Sequence, residues 1–219
     1  MEDNNHLSEP AVDCVICDRL KLFRDDNRTK EPHWHNAPVA SFGNKASRLL
    51  IVGLAPGLKG ANRTGRPFTG DFAGDLLYGS LLKFGFAAGT YAAAASDGLQ
   101  LLDCRITNAV RCVPPQNKPT PSEIKNCRSF LGATLREMGD VRAVLALGRI
   151  AHDSVLSALN RRKVEFPFAH GRQHAFDERV SLFDSYHCSR YNTNTGVLTV
   201  EMFHAVFAGI TDYLGRNET

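Results

Sequence analysis

Apolar residues gather in short blocks along the chain, and each block ends in glycine, proline or a polar cluster. Arg48 to Leu54 is an apolar run that closes on Gly53 and Pro56, the pattern of a buried strand followed by a turn. Cys104 to Val110, Val141 to Leu147 and Val180 to Tyr186 read as three more strands. Between them the apolar period lengthens to three or four residues. Leu76, Leu77, Leu81, Leu82 and Phe84 share a helical face that begins near Gly74. Ile124, Cys127, Leu131, Leu135 and Met138 share another, with Thr120 as N-cap, Pro121 in the first turn and Glu123 closing a capping box. Arg149 to Leu159 predicts a third helix, and Met202, Phe203, Val206, Phe207, Ile210 and Leu214 an amphipathic C-terminal one.

Strands alternating with helices imply a four-stranded, mostly parallel sheet covered on both faces, a three-layer α/β/α sandwich. Such sheets place their ligand site at the carboxyl ends of the strands. The segments that follow the strands therefore matter most. Three stand out: GLAPGLKGANRTGRPFTGD, RCVPPQNKPTP and YHCSRYNTNTG.

Composition narrows the class. The chain has 219 residues, 43% hydrophobic and 22% charged, which suits a folded domain spanning residues 1–219. The extended uncharged run Phe84 to Ser96 is too short to cross a membrane. The opening MEDNNHLSEP has no basic stretch followed by an apolar one, so a cytoplasmic protein is expected. A net charge of +3 is compatible with a nucleic-acid partner without requiring one.

With no export signal, the six cysteines are not read as a disulfide framework. Cys14 and Cys17 form a CxxC pair, Cys112 follows the second strand, and Cys127 lies on the inward face of the next helix. Four thiolates suit zinc or an iron–sulfur cluster; a redox pair and simple burial are the alternatives. Cys104 reads as a packed core thiol, and Cys188 is left unassigned.

The first glycine-rich segment lacks the Lys and Ser or Thr of a phosphate-binding loop, since Arg66 and Pro67 stand in their place, which excludes nucleotide hydrolysis. Phe68 is either a stacking platform for a flat ligand or a loop anchor. Asp71 is either a helix N-cap or a pocket carboxylate. By default Asn108 is a locally satisfied polar group, Asn117 a turn residue, and His187 a strand-end hydrogen-bonding group. Arg161, Arg162 and Lys163 read as a solvated helix end.

Together, GLAPG…NRTGRPFTGD, AVRCVPPQNKPTP and SYHCSRYNTNTG, with CVIC upstream, resemble the family 5 uracil-DNA glycosylases (UDGb type). The resemblance runs from about Cys14 to the C-terminal helix. It implies a uracil-DNA glycosylase fold and a [4Fe–4S] cluster on Cys14, Cys17, Cys112 and Cys127, two of these ligands coming from residues 1–30. It implies a monomeric, monofunctional glycosylase that flips uracil out of DNA and leaves an abasic site. Double-stranded DNA with deaminated bases is the expected partner, with single-stranded DNA as a second form. Hypoxanthine and xanthine are further expected substrates.

The resemblance also distributes roles. Asp71, from PFTGD, is the catalytic acid residue; Asn117 lies near the reacting base or water; His187 faces the flipped base; Phe68 stacks on it. Gly53, Ala55 and Arg190 complete the substrate-binding set. The related family 4 enzymes carry an acid where this chain has Leu54, so that route is closed. Asn108 stands in Asn-Ala-Val-Arg-Cys, the context in which family 4 enzymes read uracil, whereas many family 5 members have a small residue there. The KRRIH insertion of the covalently trapping relatives is absent. Two other classes remain in contention: an iron–sulfur nucleic-acid binder without activity, and a redox carrier using CVIC.

Overall fold

The structure, a computed structural model, describes residues 7–216; the first six residues of MEDNNHLSEP, and residues 217–219 of the expected domain, lie outside the described residues. The four expected strands form as Leu49–Gly53 (β2), Cys104–Asn108 (β5), Ala143–Leu147 (β6) and Ser181–Ser185 (β8), every residue of them buried. They pair in parallel in the order β5-β2-β6-β8.

The sheet has six strands rather than four. Phe42–Gly43 (β1) adds antiparallel to β5, and Gln173–Ala175 (β7) adds antiparallel to β8. Neither leaves a mark on the hydrophobic pattern: one is two residues long, the other reads QHA. Short strands at both rims leave little free edge for pairing with another chain. A separate two-stranded ribbon joins Ala87–Ala88 (β3) to Gln100–Leu101 (β4).

Alternation along the buried strands splits the core in two. Leu49, Ile51, Ile106, Leu145 and Phe183 face Phe72–Lys83 (α3) and the C-terminal helix Val200–Arg216 (α7). Leu50, Val52, Val144 and Leu182 face Pro121–Glu137 (α4) and Arg149–Ala158 (α5). The expected capping box at Thr120 and Glu123 is formed in full. Among the described residues no helix is long and apolar enough to cross a membrane.

Asp18–Lys30 (α1) has no counterpart in the sequence reading. Its sequence is strongly charged and buries only Leu20, Arg24 and Asn27. Arg19 anchors it to α4: Nε and Nη2 donate to the two Glu123 carboxylate oxygens at 2.8 and 2.7 Å. The short helices Ala61–Thr64 (α2) and Arg190–Asn194 (α6) lie in the segments after β2 and β8.

Candidate active site

A cavity of about 350 Å³ opens at the carboxyl ends of the parallel strands. Leu54, Ala55, Pro56 and Gly57 follow β2; Phe68 and Asp71 lead into α3, which Phe72 and Ala73 begin; Asn108 ends β5. Asn117 comes from the loop after β5, and His187, Ser189 and Arg190 from the segment after β8. All the expected catalytic and base-binding residues except Gly53 line it.

Gly53 acts one layer behind. It sits opposite Asn108 in the sheet. A Cβ there would lie 2.5 Å from both Asn108 Oδ1 and Phe68 Cζ. Only glycine lets the aromatic ring and the amide press against this strand end.

The paired readings of Asp71 and Phe68 prove compatible. Asp71 is the N-cap of α3, its carboxylate accepting from the Gly74 N–H at 3.3 Å, and it also faces the cavity. Burial raises its carboxyl pKa, partly offset by the N–H groups of Gly74 and Ala73. Gly57 and Gly60 leave room for this carboxylate, since a Cβ at either would run into Asp71 Oδ2. Phe68 belongs to the core cluster, yet its ring forms cavity wall. Its backbone is left-handed, with φ 52°, which is strained for an aromatic residue.

Asn108 departs from its default reading. Its side chain is buried and Oδ1 has no hydrogen-bond partner. A buried amide oxygen left unpaired costs roughly 1–3 kcal/mol, which a ligand donor can recover. His187 stands with its ring 6.0 Å from that of Phe68 and 30° from parallel. Burial lowers its pKa, so the ring stays neutral at pH 7. Asn117 is a turn residue as well as a cavity residue, ending a 3₁₀ turn (Pro115–Asn117) with φ 57°. Arg190 is exposed at the rim and packs over the Phe72 ring at 5.3 Å.

Cys14, Cys17, Cys112 and Cys127 line a second, small apolar hollow with Leu20 and Phe130. All four are free thiols. Zinc with sulfur at about 2.3 Å would draw tetrahedral thiolates to about 3.8 Å from one another. Among the described residues, the trio of potential ligand atoms that all lie within 4.8 Å of one another is His152, His174 and Asp184; no three of the cysteine sulfurs gather that closely. Four thiols converging on one hollow are a donor set that fits either zinc or an iron–sulfur group. A buried cation adjoins it: Arg24 Nη1 lies 4.0 Å from Cys112 Sγ, while Arg24 Nε makes no hydrogen bond and faces Asp25 Oδ1 at 4.0 Å. Cys104 is a core thiol within β5. Cys188, unassigned from sequence, is buried, with Sγ directed at the Ala73 carbonyl at 3.5 Å.

The sequence model of the uracil DNA glycosylase superfamily matches residues 40–210. The chain belongs to this superfamily. It is 43% identical over 207 residues to the type-5 uracil-DNA glycosylase of Thermus thermophilus, covering 92% of this chain and 94% of that protein. It is 40% identical over 203 residues to the type-5 enzyme of Mycobacterium tuberculosis, covering 89% and 75%. The type-4 uracil-DNA glycosylase of Archaeoglobus fulgidus is 32% identical over 154 residues, 69% of this chain and 62% of that protein.

Within this glycosylase fold, the sequence reading missed the apolar part of the cavity: Leu54, Pro56, Phe72 and Ala73. Their signal was adjacency to the motif residues. It also missed the buried node of His152, His174 and Asp184. His152 Nδ1 meets Asp184 Oδ1 at 2.7 Å and Nε2 meets the Phe166 carbonyl at 2.8 Å; His174 Nε2 meets Asp184 Oδ2 at 3.1 Å. These bonds tie α5, β7 and β8 together. No local spacing signals them.

Proposed function

We propose that the chain is a DNA-repair glycosylase that everts a uracil nucleotide and hydrolyses its N-glycosidic bond. One observation carries this: the unpartnered buried amide oxygen of Asn108 shares a cavity with the Phe68 ring and the Asp71 carboxylate. An amide offers one acceptor and two donors, which match uracil N3–H and O4. Everting a nucleotide costs a few kcal/mol, and stacking on an aromatic ring returns about 1–3 kcal/mol.

Bond cleavage leaves positive charge on the sugar and negative charge on the base. Asp71 in its ionised form stabilises the sugar cation and orients water, with Asn117 lining the same cavity. Neutral His187 and the Ala55 backbone N–H serve as donors to the departing base oxygen. Among the described residues no lysine lines the cavity, which supports a monofunctional enzyme that leaves an abasic site. The apolar walls also suit hypoxanthine and xanthine as further substrates. We read the protein as a cytoplasmic monomer acting on double-stranded DNA, with single-stranded DNA as a second substrate form.

Cys14, Cys17, Cys112 and Cys127 would hold a [4Fe–4S] cluster. Bound there, it supplies a structural cross-link between the start of α1, the segment after β5 and α4.

The deciding assay incubates purified protein with duplexes carrying uracil, hypoxanthine, xanthine or thymine opposite guanine and measures free base. Uracil release leaving intact abasic strands is expected. An iron-replete protein that released no base from any duplex would make this a binding protein instead.

A further inference from the structure

Behind the cavity wall lies an ion pair that the chemistry above does not use. Arg66 donates to Asp97 through both terminal nitrogens, Nη1 to Oδ1 at 2.8 Å and Nη2 to Oδ2 at 2.7 Å. Both side chains are almost fully buried, at 5% and 1% exposure. Asp97 belongs to the loop of the β3–β4 ribbon, and its carboxylate also accepts from the N–H groups of Ala92 at 2.9 Å and Leu99 at 3.1 Å. The guanidinium sits against the rings of Phe42, Tyr78 and Tyr91, 5.2–5.8 Å from their centroids.

The same group of side chains grips the turn that carries Phe68. Arg66 Nε donates to Thr69 Oγ1 at 2.7 Å. Tyr78 donates its hydroxyl to the Pro67 carbonyl at 2.7 Å, and Tyr91 to the Phe68 carbonyl at 3.4 Å. Phe68 and Asp71 face the cavity, while Thr69 between them is held from behind. The turn carries two left-handed residues, Phe68 at φ 52° and Gly70 at φ 92°. A strained aromatic residue keeps that backbone only where its surroundings over-determine it.

We propose that Arg66 and Asp97 are positioning residues for the stacking ring, locking the Phe68 turn so that the ring keeps its place in the cavity wall. The pair crosses from the segment after β2 to the ribbon loop, so that loop becomes part of the base pocket without touching the base. Misplacing a reacting group by about 1 Å can cost about 100-fold in rate. This inference rests on the reading of Phe68 as the base-stacking ring.

The test is a double-mutant cycle on Asp97→Asn and Phe68→Ala. It is read by single-turnover uracil release, by KM, by inhibition with free uracil, and by binding to undamaged duplex. Asp97→Asn is expected to slow single-turnover release at least tenfold and weaken uracil inhibition about as much. Undamaged-duplex affinity and iron content stay within twofold. In the Phe68→Ala background Asp97→Asn adds less than twofold, because one ring mediates both effects. Tyr91→Phe, which removes a single hydroxyl, moves rate and uracil inhibition the same way by two- to fivefold and guards against misfolding of the first variant.

Parental rate and uracil inhibition in both Asp97→Asn and Tyr91→Phe, with the Phe68→Ala loss intact, would overturn the positioning role and leave stacking standing. Full additivity of the two losses would overturn it as well. A Phe68→Ala protein with parental uracil inhibition would remove the stacking reading and this inference together.

Discussion

Asp71 is held in two conflicting environments. The free N–H groups at the start of α3 favour its charged form, while burial disfavours it, and burial prevails: the carboxyl pKa is raised. The proposed chemistry on the sugar needs the carboxylate. Activity is therefore present above the raised pKa and is lost as pH falls through it. The acid limb of single-turnover rate against pH should lie above the ordinary aspartate value of about 3.9. Asp71→Asn should cut the rate by about 100-fold or more while changing DNA affinity little. A raised folded pKa also means that the native state binds this proton more tightly than the unfolded chain, so stability declines as pH rises through that interval. Asparagine is an equally good N-cap without the buried charge, so the variant should melt at a higher temperature at pH 7. Calorimetry and a DNA-binding titration check both halves. Asn108 carries the second unfavourable feature of the site, its unpartnered buried Oδ1. Asn108→Ala removes both the penalty and the readout. Uracil should lose roughly tenfold of its rate advantage over hypoxanthine or thymine, measured on matched duplexes, because a pocket built to hydrogen-bond its substrate discriminates through those bonds.

At the scale of elements, the residues that found the site were those the chain itself strings together. Phe68, Gly70 and Asp71 lie in one segment after one strand, and parallel-sheet topology sends such segments to one rim. Their placement was legible because adjacency in sequence became adjacency in space. The Arg66–Asp97 pair spans 31 positions and His152–Asp184 spans 32, so neither leaves a periodic trace. Helix α1 was illegible for another reason: it is held by Arg19 to Glu123 and by the cysteine hollow rather than by an apolar face. That dependence gives a prediction. On the proposed cluster ligation, Cys127→Ser should remove visible iron–sulfur absorption, lower iron content and reduce the thermal midpoint, because α1, the segment after β5 and α4 would lose their common anchor. Cys104→Ser should leave iron content at the parental level, since that thiol is packed in the opposite core. Iron analysis and thermal melting of the two variants side by side distinguish a ligand from a packing cysteine.

Across the whole molecule, a net charge of +3 understates how the charge is arranged. Each segment at the carboxyl end of a parallel strand carries an exposed cation: Lys59 and Arg63 after β2, Lys118 after β5, Arg149 after β6 and Arg190 after β8. None of these five pairs with a carboxylate among the described residues. The acid that faces the cavity, Asp71, lies inside this basic rim. A duplex laid across the strand ends would bring its phosphates to these cations and its everted base to the carboxylate. Phosphate neutralisation releases counterions, so affinity falls with salt by a log–log slope of about −0.9 for each contact on duplex DNA. Lys118→Ala and Arg149→Ala should each make that slope shallower by about 0.9 while leaving the ranking of bases unchanged. Binding titrations on a uracil-free duplex between low and moderate salt measure the slope, and base release on the matched substrates measures the ranking. A variant that altered the base ranking while keeping the parental salt slope would place its cation inside the pocket chemistry rather than on the backbone track.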